Sequence, residues 1–342
     1  MKLKTIFVGE GPEIRPREIK LVFRESLPGL ALVAGLGFLS YLLTHLPQFG
    51  FSDVSWMRFI DTLVLAVVLG MVARLGVTKT RGLTNRLLPG ILLAPMLFIP
   101  LGIALYGMSF RLDQMSKLDG SVIMTALLAM LISMLAIYFL AVRVFKLSKK
   151  LAYLLGVGSA ICGASAIAIT SPAINADPDE MGAALVTNTL LALISLLILK
   201  WIASWMAPQF WAMTAGALLP QTGFVKLAVV GELQDYALLV KTLRVSMLLV
   251  LVPLTYYFVQ GKLFIPWYLI LFAVVGLWYS FAAPGKELTA ILKMTYDLLF
   301  STALAGIGLN ANLGAVMRKI WMPLLITTSV FCIGAALCLS LR

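Results

Sequence analysis

Two cationic side chains stand near the start of an apolar stretch, residues 237–253, which reads ALLVKTLRVSMLLVLVP. Lys241 and Arg244 are three residues apart and therefore lie on one face of a helix. Charged side chains within a membrane helix are costly and usually mark a pathway or a partner. Because the stretch contains no carboxylate, we predict that the pair supplies countercharge to a small anion. The alternative is that both side chains extend to the membrane surface from the first turns of the helix.

A second pattern weakens the helix that residues 156–175, GVGSAICGASAIAITSPAIN, would otherwise form. Glycines lower helix propensity, and Pro172 cannot donate a backbone hydrogen bond. We predict a break near Gly158–Ser159, after which free N–H groups and a positive helix end would bind an anion at mid-membrane depth. The alternative is that the small residues only permit close helix packing. The predicted substrate-binding residues of this stretch are Ser159, Cys162, Gly163 and Ser165.

A similar pattern recurs in residues 297–314, DLLFSTALAGIGLNANLG. We predict a second break at Gly306 and Gly308, because interrupted segments at matching positions of two repeats indicate the binding site of a transporter. The residues predicted to face the first break from this stretch are Ser301, Thr302 and Asn310.

Two further polar residues bear on the predicted site. Asn188 is the only amide in the sixth apolar stretch, where it either lines the same cavity or hydrogen-bonds a neighbouring helix. Asp297 lies early in the tenth stretch and is the candidate for coupling to a proton or a sodium ion. No paired aspartates occupy either predicted break, so the sequence disfavours cation exchange.

The composition indicates which elements must hold these residues. Of the 342 residues, 61% are hydrophobic and 12% are charged, about half the charged fraction of a soluble domain. Many apolar stretches have the length of a helix that crosses a bilayer. We therefore predict an all-α polytopic membrane protein, with the lipid bilayer as its surroundings. The net charge of +12 reflects basic residues at helix ends rather than nucleic-acid binding.

The apolar stretches number about eleven, and Lys and Arg are roughly three times as frequent on one side of them as on the other, which predicts a cytoplasmic N-terminus. Eleven spans divide into one extra helix and two sets of five, and an odd number of helices per set inverts the second set, as in many secondary transporters. The predicted domains are a cytoplasmic tail over 1–27, an extra first transmembrane helix with its loop over 28–58, and five-helix repeats over 59–207 and 208–342. The predicted spans are 28–46, 59–75, 87–108, 120–142, 151–172, 181–200, 208–231, 237–259, 263–282, 290–311 and 320–341.

Motifs of the common enzyme and metal-site classes are missing from the sequence. It contains no HExxH, no GxSxG and no Walker lysine loop, and His45 is its single histidine. We therefore expect no enzyme, no bound metal and no cofactor other than a coupling proton or sodium ion. A carrier of a small anion fits best, with an anion channel or a non-transporting membrane receptor as alternatives. Whether two copies form a homodimer is left open.

The stretch KKLAYLLGVGSAICGASAIAITSPAINADPDEMGAALVTNTL, residues 149–190, resembles the YeiH-type sulfate exporter family, most specifically in the core SAICGASA. Three other segments are similar to the same family: LGIALYGMSFRLD (101–113), LVKTLRVSMLLVLVP (239–253) and STALAGIGLNANL (301–313). The resemblance runs in order over nearly the whole chain after about residue 28. The motif residues of the family fall on Ser159, Cys162, Gly163, Ser165, Asn188, Lys241 and Arg244.

The resemblance implies the fold of carriers like bile-acid symporters and sodium/proton antiporters, with inverted five-helix repeats and crossed, interrupted fourth helices. It also implies export of a small oxyanion, such as sulfate or a sulfonate, across a bacterial inner membrane. The alternative within transport is sodium- or proton-coupled import of an organic anion. One segment, GALLPQTGFVK, departs from the family pattern. Pro220 and Gln221 replace a histidine–aspartate pair and Phe224 replaces a glutamine, which favours another anion or a less polar organic acid.

Overall fold

The computed structural model describes residues 16–45, 62–78, 81–109, 118–261, 263–282 and 284–340. These residues form helices and contain no strand, which confirms the all-α prediction. The first helix begins at Pro16, inside the predicted tail, whose residues 1–15 lie outside the described part. The helices are α1 (Pro16–His45), α2 (Thr62–Val77), α3 (Arg81–Tyr106), α4 (Gly120–Phe139), α5 (Lys149–Ala160), α6 (Ala164–Thr170), α7 (Pro178–Ile202), α8 (Pro208–Leu218), α9 (Thr222–Ala228), α10 (Leu233–Ser246), α11 (Leu248–Gln260), α12 (Trp267–Ala282), α13 (Lys286–Asn310), α14 (Leu313–Lys319) and α15 (Trp321–Ser340).

Seven helical segments of the described chain are long and apolar enough to cross a bilayer. They are Arg24–His45, Arg86–Ser109, Gly120–Val144, Pro178–Trp205, Leu233–Gln260, Lys286–Asn310 and Trp321–Ser340. Helices α2 and α12 are apolar but shorter. The protein is therefore a polytopic membrane protein, whereas the count of eleven spans and the inverted repeats stay predictions.

The chain divides into two compact units. The first contains the residues up to Gly102 together with Lys293–Leu313, and the second contains Ile103–Leu292 together with Gly314–Arg342. The predicted repeat boundaries, at 59 and 208, stay predictions.

Helix α13, which belongs to the first unit from Lys293 onward, is continuous through Gly306 and Gly308, so the predicted second break is wrong at this place. These glycines serve close packing instead. A Cβ atom added to Gly308 would lie 2.2 Å from the backbone oxygen of Val67, and one added to Gly70 would lie 2.3 Å from that of Ala305. Helices α2 and α13 therefore approach each other at the distance that small residues permit, which was the alternative considered for the first glycine-rich stretch.

Two helices of the second unit are interrupted. Helices α5 and α6 are separated at Ile161–Gly163, and α8 and α9 are separated at Leu219–Gln221. The first break was predicted near Gly158–Ser159, but α5 continues to Ala160, so the prediction was wrong by about three residues. The backbone leaves the helix where Gly163 takes φ +77°, a conformation that side chains with a Cβ atom rarely adopt.

Pro220 accounts for the break between α8 and α9. Proline lacks the N–H group that a continuing helix needs, and it disfavours the helical conformation of the residue before it. Leu219 accordingly has φ −60° and ψ 132°, which is extended backbone. Between the two interrupted helices, α7 runs unbroken from a capping box formed by Asp177 and Glu180.

Candidate functional site

Helix α10 directs Lys241 and Arg244 into the interior of the second unit. Each side chain is only 1% exposed. The alternative that the two cations extend to the membrane surface is therefore wrong. Their spacing places them on one helical face, as predicted, and that face contacts the two interrupted helices.

Arg244 joins the C-terminal ends of two helices. Its Nε donates to the carbonyl of Ala160 (2.6 Å) and its Nη2 to that of Ser159 (2.8 Å), both in the last turn of α5. Its Nη1 donates to the carbonyls of Gly216 (3.1 Å) and Leu219 (3.0 Å) at the end of α8. The last carbonyls of a helix have no partner within the helix and carry its negative end, so one guanidinium satisfies two helix ends.

Lys241 binds the backbone of the second break directly. Its Nζ donates to the carbonyls of Leu219 (2.6 Å) and Pro220 (2.7 Å). These two bonds use two of the three ammonium protons, just as the four bonds of Arg244 use four of its five N–H groups. One donor on each side chain therefore has no partner within the described part of the chain.

The charge of this cluster is unbalanced. No carboxylate of the described residues pairs with Lys241 or Arg244, whose partners are all backbone carbonyls. Each helix end supplies about half a negative charge, so the two ends offset about one of the two positive charges. A buried excess of positive charge is costly, and a bound anion would compensate it.

Three polar side chains near the two breaks contain buried atoms that have no hydrogen-bond partner within the described residues. The atoms concerned are Ser159 Oγ, both amide atoms of Asn188, and Gln221 Oε1. The side chains of Asn188 and Gln221 flank the same glycine: a Cβ atom added to Gly163 would lie 2.8 Å from Asn188 Nδ2 and 2.6 Å from Gln221 Cγ. Nearby, a small cavity of the second unit is lined by residues that include Ser159, Leu218 and Pro220.

The second unit brings together most of the predicted site residues. Ser159 and Arg244 are in direct contact, and Asn188 lies against Gly158 and Gly163. The partner in a neighbouring helix that was the alternative for the Asn188 amide is not found in the described part. Cys162 is buried within the break and Ser165 is buried in α6, so the break separates Ser165 from Ser159, which lies in α5.

The remaining predicted residues lie in the first unit, on the unbroken helix α13. Ser301 Oγ donates to the carbonyl of Leu298 (3.2 Å), and Asn310 Nδ2 donates to that of Gly306 (3.1 Å). Thr302 lies against α1, where a Cβ atom added to Gly37 would be 2.7 Å from Thr302 Oγ1. That these three residues face the first break, and that Asp297 couples an ion, stay predictions.

The sequence interpretation missed the second break at Leu219–Gln221 and the polar role of Gln221. The signal was present as Pro220, a proline within an apolar stretch, but it was interpreted only as a departure from a family pattern. Because the break carries both carbonyls that Lys241 binds, it belongs to the site as much as the first break does.

We predict that Gly163→Ala removes function as well as stability. The methyl group would occupy the space between Asn188 and Gln221, at less than 3 Å from both side chains, and alanine disfavours φ +77°. We expect a loss of about 1–3 kcal/mol in the free energy of unfolding together with loss of ligand binding, measured by thermal unfolding and by isothermal titration with candidate anions.

Gly231→Ala is the matched control for the backbone effect. Gly231 has φ +75°, but an added Cβ atom would meet nothing within 4 Å. We expect Gly231→Ala to lower stability through backbone strain while leaving ligand affinity unchanged. Equal ligand affinity in both variants would contradict the placement of the ligand beside Gly163.

Comparison with known proteins identifies the family. Residues 28–327 match the family described as "Conserved hypothetical protein 698". A "UPF0324 membrane protein" of Archaeoglobus fulgidus is 32% identical over 324 residues, which cover 94% of each chain. The "UPF0324 inner membrane protein YeiH" of Escherichia coli K12 is 28% identical over 325 residues, covering 89% of this chain and 90% of the relative. No solved structure matches.

The match over residues 28–327 includes both interrupted helices and α10 with its two cations. Both of these relatives are named as membrane proteins, which agrees with the long apolar helices described above. The chain is thus a multi-pass membrane protein and belongs to the UPF0324 family, described as conserved hypothetical protein 698.

Proposed function

We propose that the protein is a secondary transporter that exports a small anion, such as sulfate, a sulfonate or an organic acid, by alternating access. The observation that carries this proposal is the pair of buried cations, Lys241 and Arg244, which bind two helix breaks and have no carboxylate partner among the described residues. Interrupted helices with polar backbone at their breaks are the common binding-site design of secondary transporters.

An anion suits this site better than a cation. Two fixed positive charges would repel a cation in a region of low dielectric constant, where the interaction between charges is strong. The free donor on each cationic side chain, together with Ser159 Oγ and the Asn188 amide, would bind oxyanion oxygens. The resemblance to YeiH-type sulfate exporters supports the same class of substrate, and the altered segment at Pro220 and Gln221 favours an anion other than sulfate.

Reconstitution of the purified full chain into proteoliposomes tests the proposal. We expect saturable uptake of a labelled anion that is accelerated when the vesicles are preloaded with the same unlabelled anion, because a carrier exchanges its substrate across the membrane. Conductance without this acceleration would indicate an anion channel. Binding without any flux would indicate a receptor.

Ion gradients separate export from the coupled alternative. Asp297 is the candidate coupling residue for sodium- or proton-driven import of an organic anion. Uptake that requires an inward sodium or proton gradient, and that is lost in Asp297→Asn, would favour the importer. Exchange that is independent of both gradients would favour the exporter.

A further inference from the structure

The orientation of the Gln221 amide is determined by Thr189. The Thr189 hydroxyl donates its single proton to the carbonyl of Leu185 (3.2 Å), so it accepts the hydrogen bond from Gln221 Nε2 (3.0 Å). The NH₂ group of Gln221 therefore faces Thr189. Its oxygen, Oε1, faces away; it is buried and has no donor within the described residues. Gln221 thus presents a buried hydrogen-bond acceptor that lacks a donor within the described residues.

Asn188 adds a second acceptor beside the first. Both of its amide atoms are buried without partners among the described residues, so one of them is an unsatisfied carbonyl oxygen whichever way the amide is turned. Asn188 is 1% exposed and Gln221 is 3% exposed. Both side chains contact the space beside Gly163, and the site therefore offers acceptors from two different elements, α7 and the second break.

A buried acceptor without a donor costs about 1–3 kcal/mol, and native proteins contain few such groups. Here the acceptors lie beside a surplus of positive charge. Pro220, whose carbonyl binds Lys241 (2.7 Å), directly precedes Gln221, and Ser159, whose carbonyl binds Arg244 (2.8 Å), also carries an unsatisfied hydroxyl. A ligand that fits this arrangement must therefore combine a negative charge with a hydrogen-bond donor.

Resting on the anion transport proposed above, we propose that the protein selects anions that carry an O–H or N–H donor in addition to their charge. The charged group binds the free donors of Lys241 and Arg244, and the O–H or N–H group donates to Gln221 Oε1 and the Asn188 carbonyl. A fully deprotonated anion such as sulfate has acceptors only. It would leave both amide oxygens unsatisfied, and the site therefore disfavours it.

Matched pairs of anions test the selection in proteoliposomes that contain the full chain. Isethionate and ethanesulfonate have the same sulfonate and the same carbon chain, but only isethionate has a hydroxyl group. Lactate and propionate form the same comparison on a carboxylate. Sites built to bind a hydroxyl discriminate strongly against analogues that lack it. We expect kcat/KM for the hydroxylated member of at least one pair to be about 10-fold higher or more, and higher than that for sulfate.

Two variants connect the preference to Gln221. Gln221→Met removes the acceptor while keeping a side chain of similar length, and we expect it to lower uptake of the hydroxylated anion toward that of its analogue. Thr189→Val keeps Gln221 but removes the bond that orients its amide, so we expect a smaller loss of the same preference. Gln260→Met is the control. Gln260 is an exposed glutamine at the end of α11, and it donates to the carbonyl of Ala173 rather than to a residue of the site.

The outcomes distinguish this inference from the proposed function. Transport of anions with equal rates within both pairs, or with sulfate preferred, overturns the inference and leaves anion transport standing. A preference that Gln221→Met does not change also overturns it. If Gln221→Met does not fold, an unchanged preference in Thr189→Val decides against it in the same way. If the protein neither transports nor binds a single one of the five anions, the proposed function is overturned, and the inference with it.

Discussion

Arg244→Met is expected to lower the stability of the folded protein more than any other single substitution of a polar residue in the second unit. Arg244 is 1% exposed and donates to four carbonyls at the ends of α5 and α8. In the variant, the Leu219 carbonyl still accepts a hydrogen bond from Lys241. The carbonyls of Ser159, Ala160 and Gly216 lose the hydrogen bonds that the guanidinium donates. Each buried carbonyl left without a donor costs about 1–3 kcal/mol.

The substitution also removes an unfavourable contribution of Arg244 to the free energy of folding. Arg244 has no carboxylate partner among the described residues, and burial of its charge opposes folding. Three unsatisfied carbonyls outweigh the part of this cost that methionine relieves, because the guanidinium is already hydrogen-bonded through four of its five N–H groups. We expect a net loss of about 3–5 kcal/mol, which lowers the midpoint of thermal unfolding in detergent by about 5–15 °C.

Two further variants interpret the result: Arg318→Met is the control for loss of an exposed arginine, and Arg244→Lys tests whether the charge alone is sufficient. Arg318 is exposed and makes one bond to the carbonyl of Gly314 within its own helix, so its loss is expected to change the midpoint by about 2 °C or less. Arg244→Lys keeps the charge but lacks the planar arrangement of five donors, and we expect it to resemble Arg244→Met. A midpoint for Arg244→Lys equal to that of the unmodified protein would contradict the bridging role.

The sequence predicted the cationic pair well and the helix breaks less well, for a physical reason. The spacing of Lys241 and Arg244 determines their common face once the segment is helical. Their burial could not be deduced, because the carbonyls that satisfy them come from residues 159–160 and 216–220, and a hydropathy pattern does not contain such contacts.

The position of a proline in the sequence predicts a helix break more reliably than the position of a glycine does. Pro220 lacks a backbone donor, and the helix ends immediately before it. Glycine either interrupts a helix or lets another helix approach, and only the partner decides. Gly163 interrupts, whereas Gly308 packs on Val67, which is more than two hundred residues away in sequence. The two glycine-rich stretches looked alike for this reason, and only one of them is broken.

Lys241→Met is expected to abolish most anion transport with a smaller effect on folding. Lys241 makes two hydrogen bonds, to the carbonyls of Leu219 and Pro220, and Arg244 still binds Leu219 in the variant. The fold therefore keeps its connection between α5 and α8. The positive charge beside the second break is lost, and hydrogen bonds to charged groups contribute about 1.5–3 kcal/mol each. We expect kcat/KM for the transported anion to fall about 10- to 100-fold.

Lys241→Arg and Lys200→Met separate the effect of charge from that of the substitution itself. Lys200 is exposed in the last turn of α7, so its loss is expected to leave counterflow rates unchanged. Lys241→Arg restores the charge and is expected to recover part of the uptake, since the second break has to accommodate a wider group. Arg244 alone cannot replace this charge, because four of its five N–H groups already bind helix ends. Full anion uptake by Lys241→Met, with normal folding, would therefore mean that the surplus charge at the breaks does not bind the substrate.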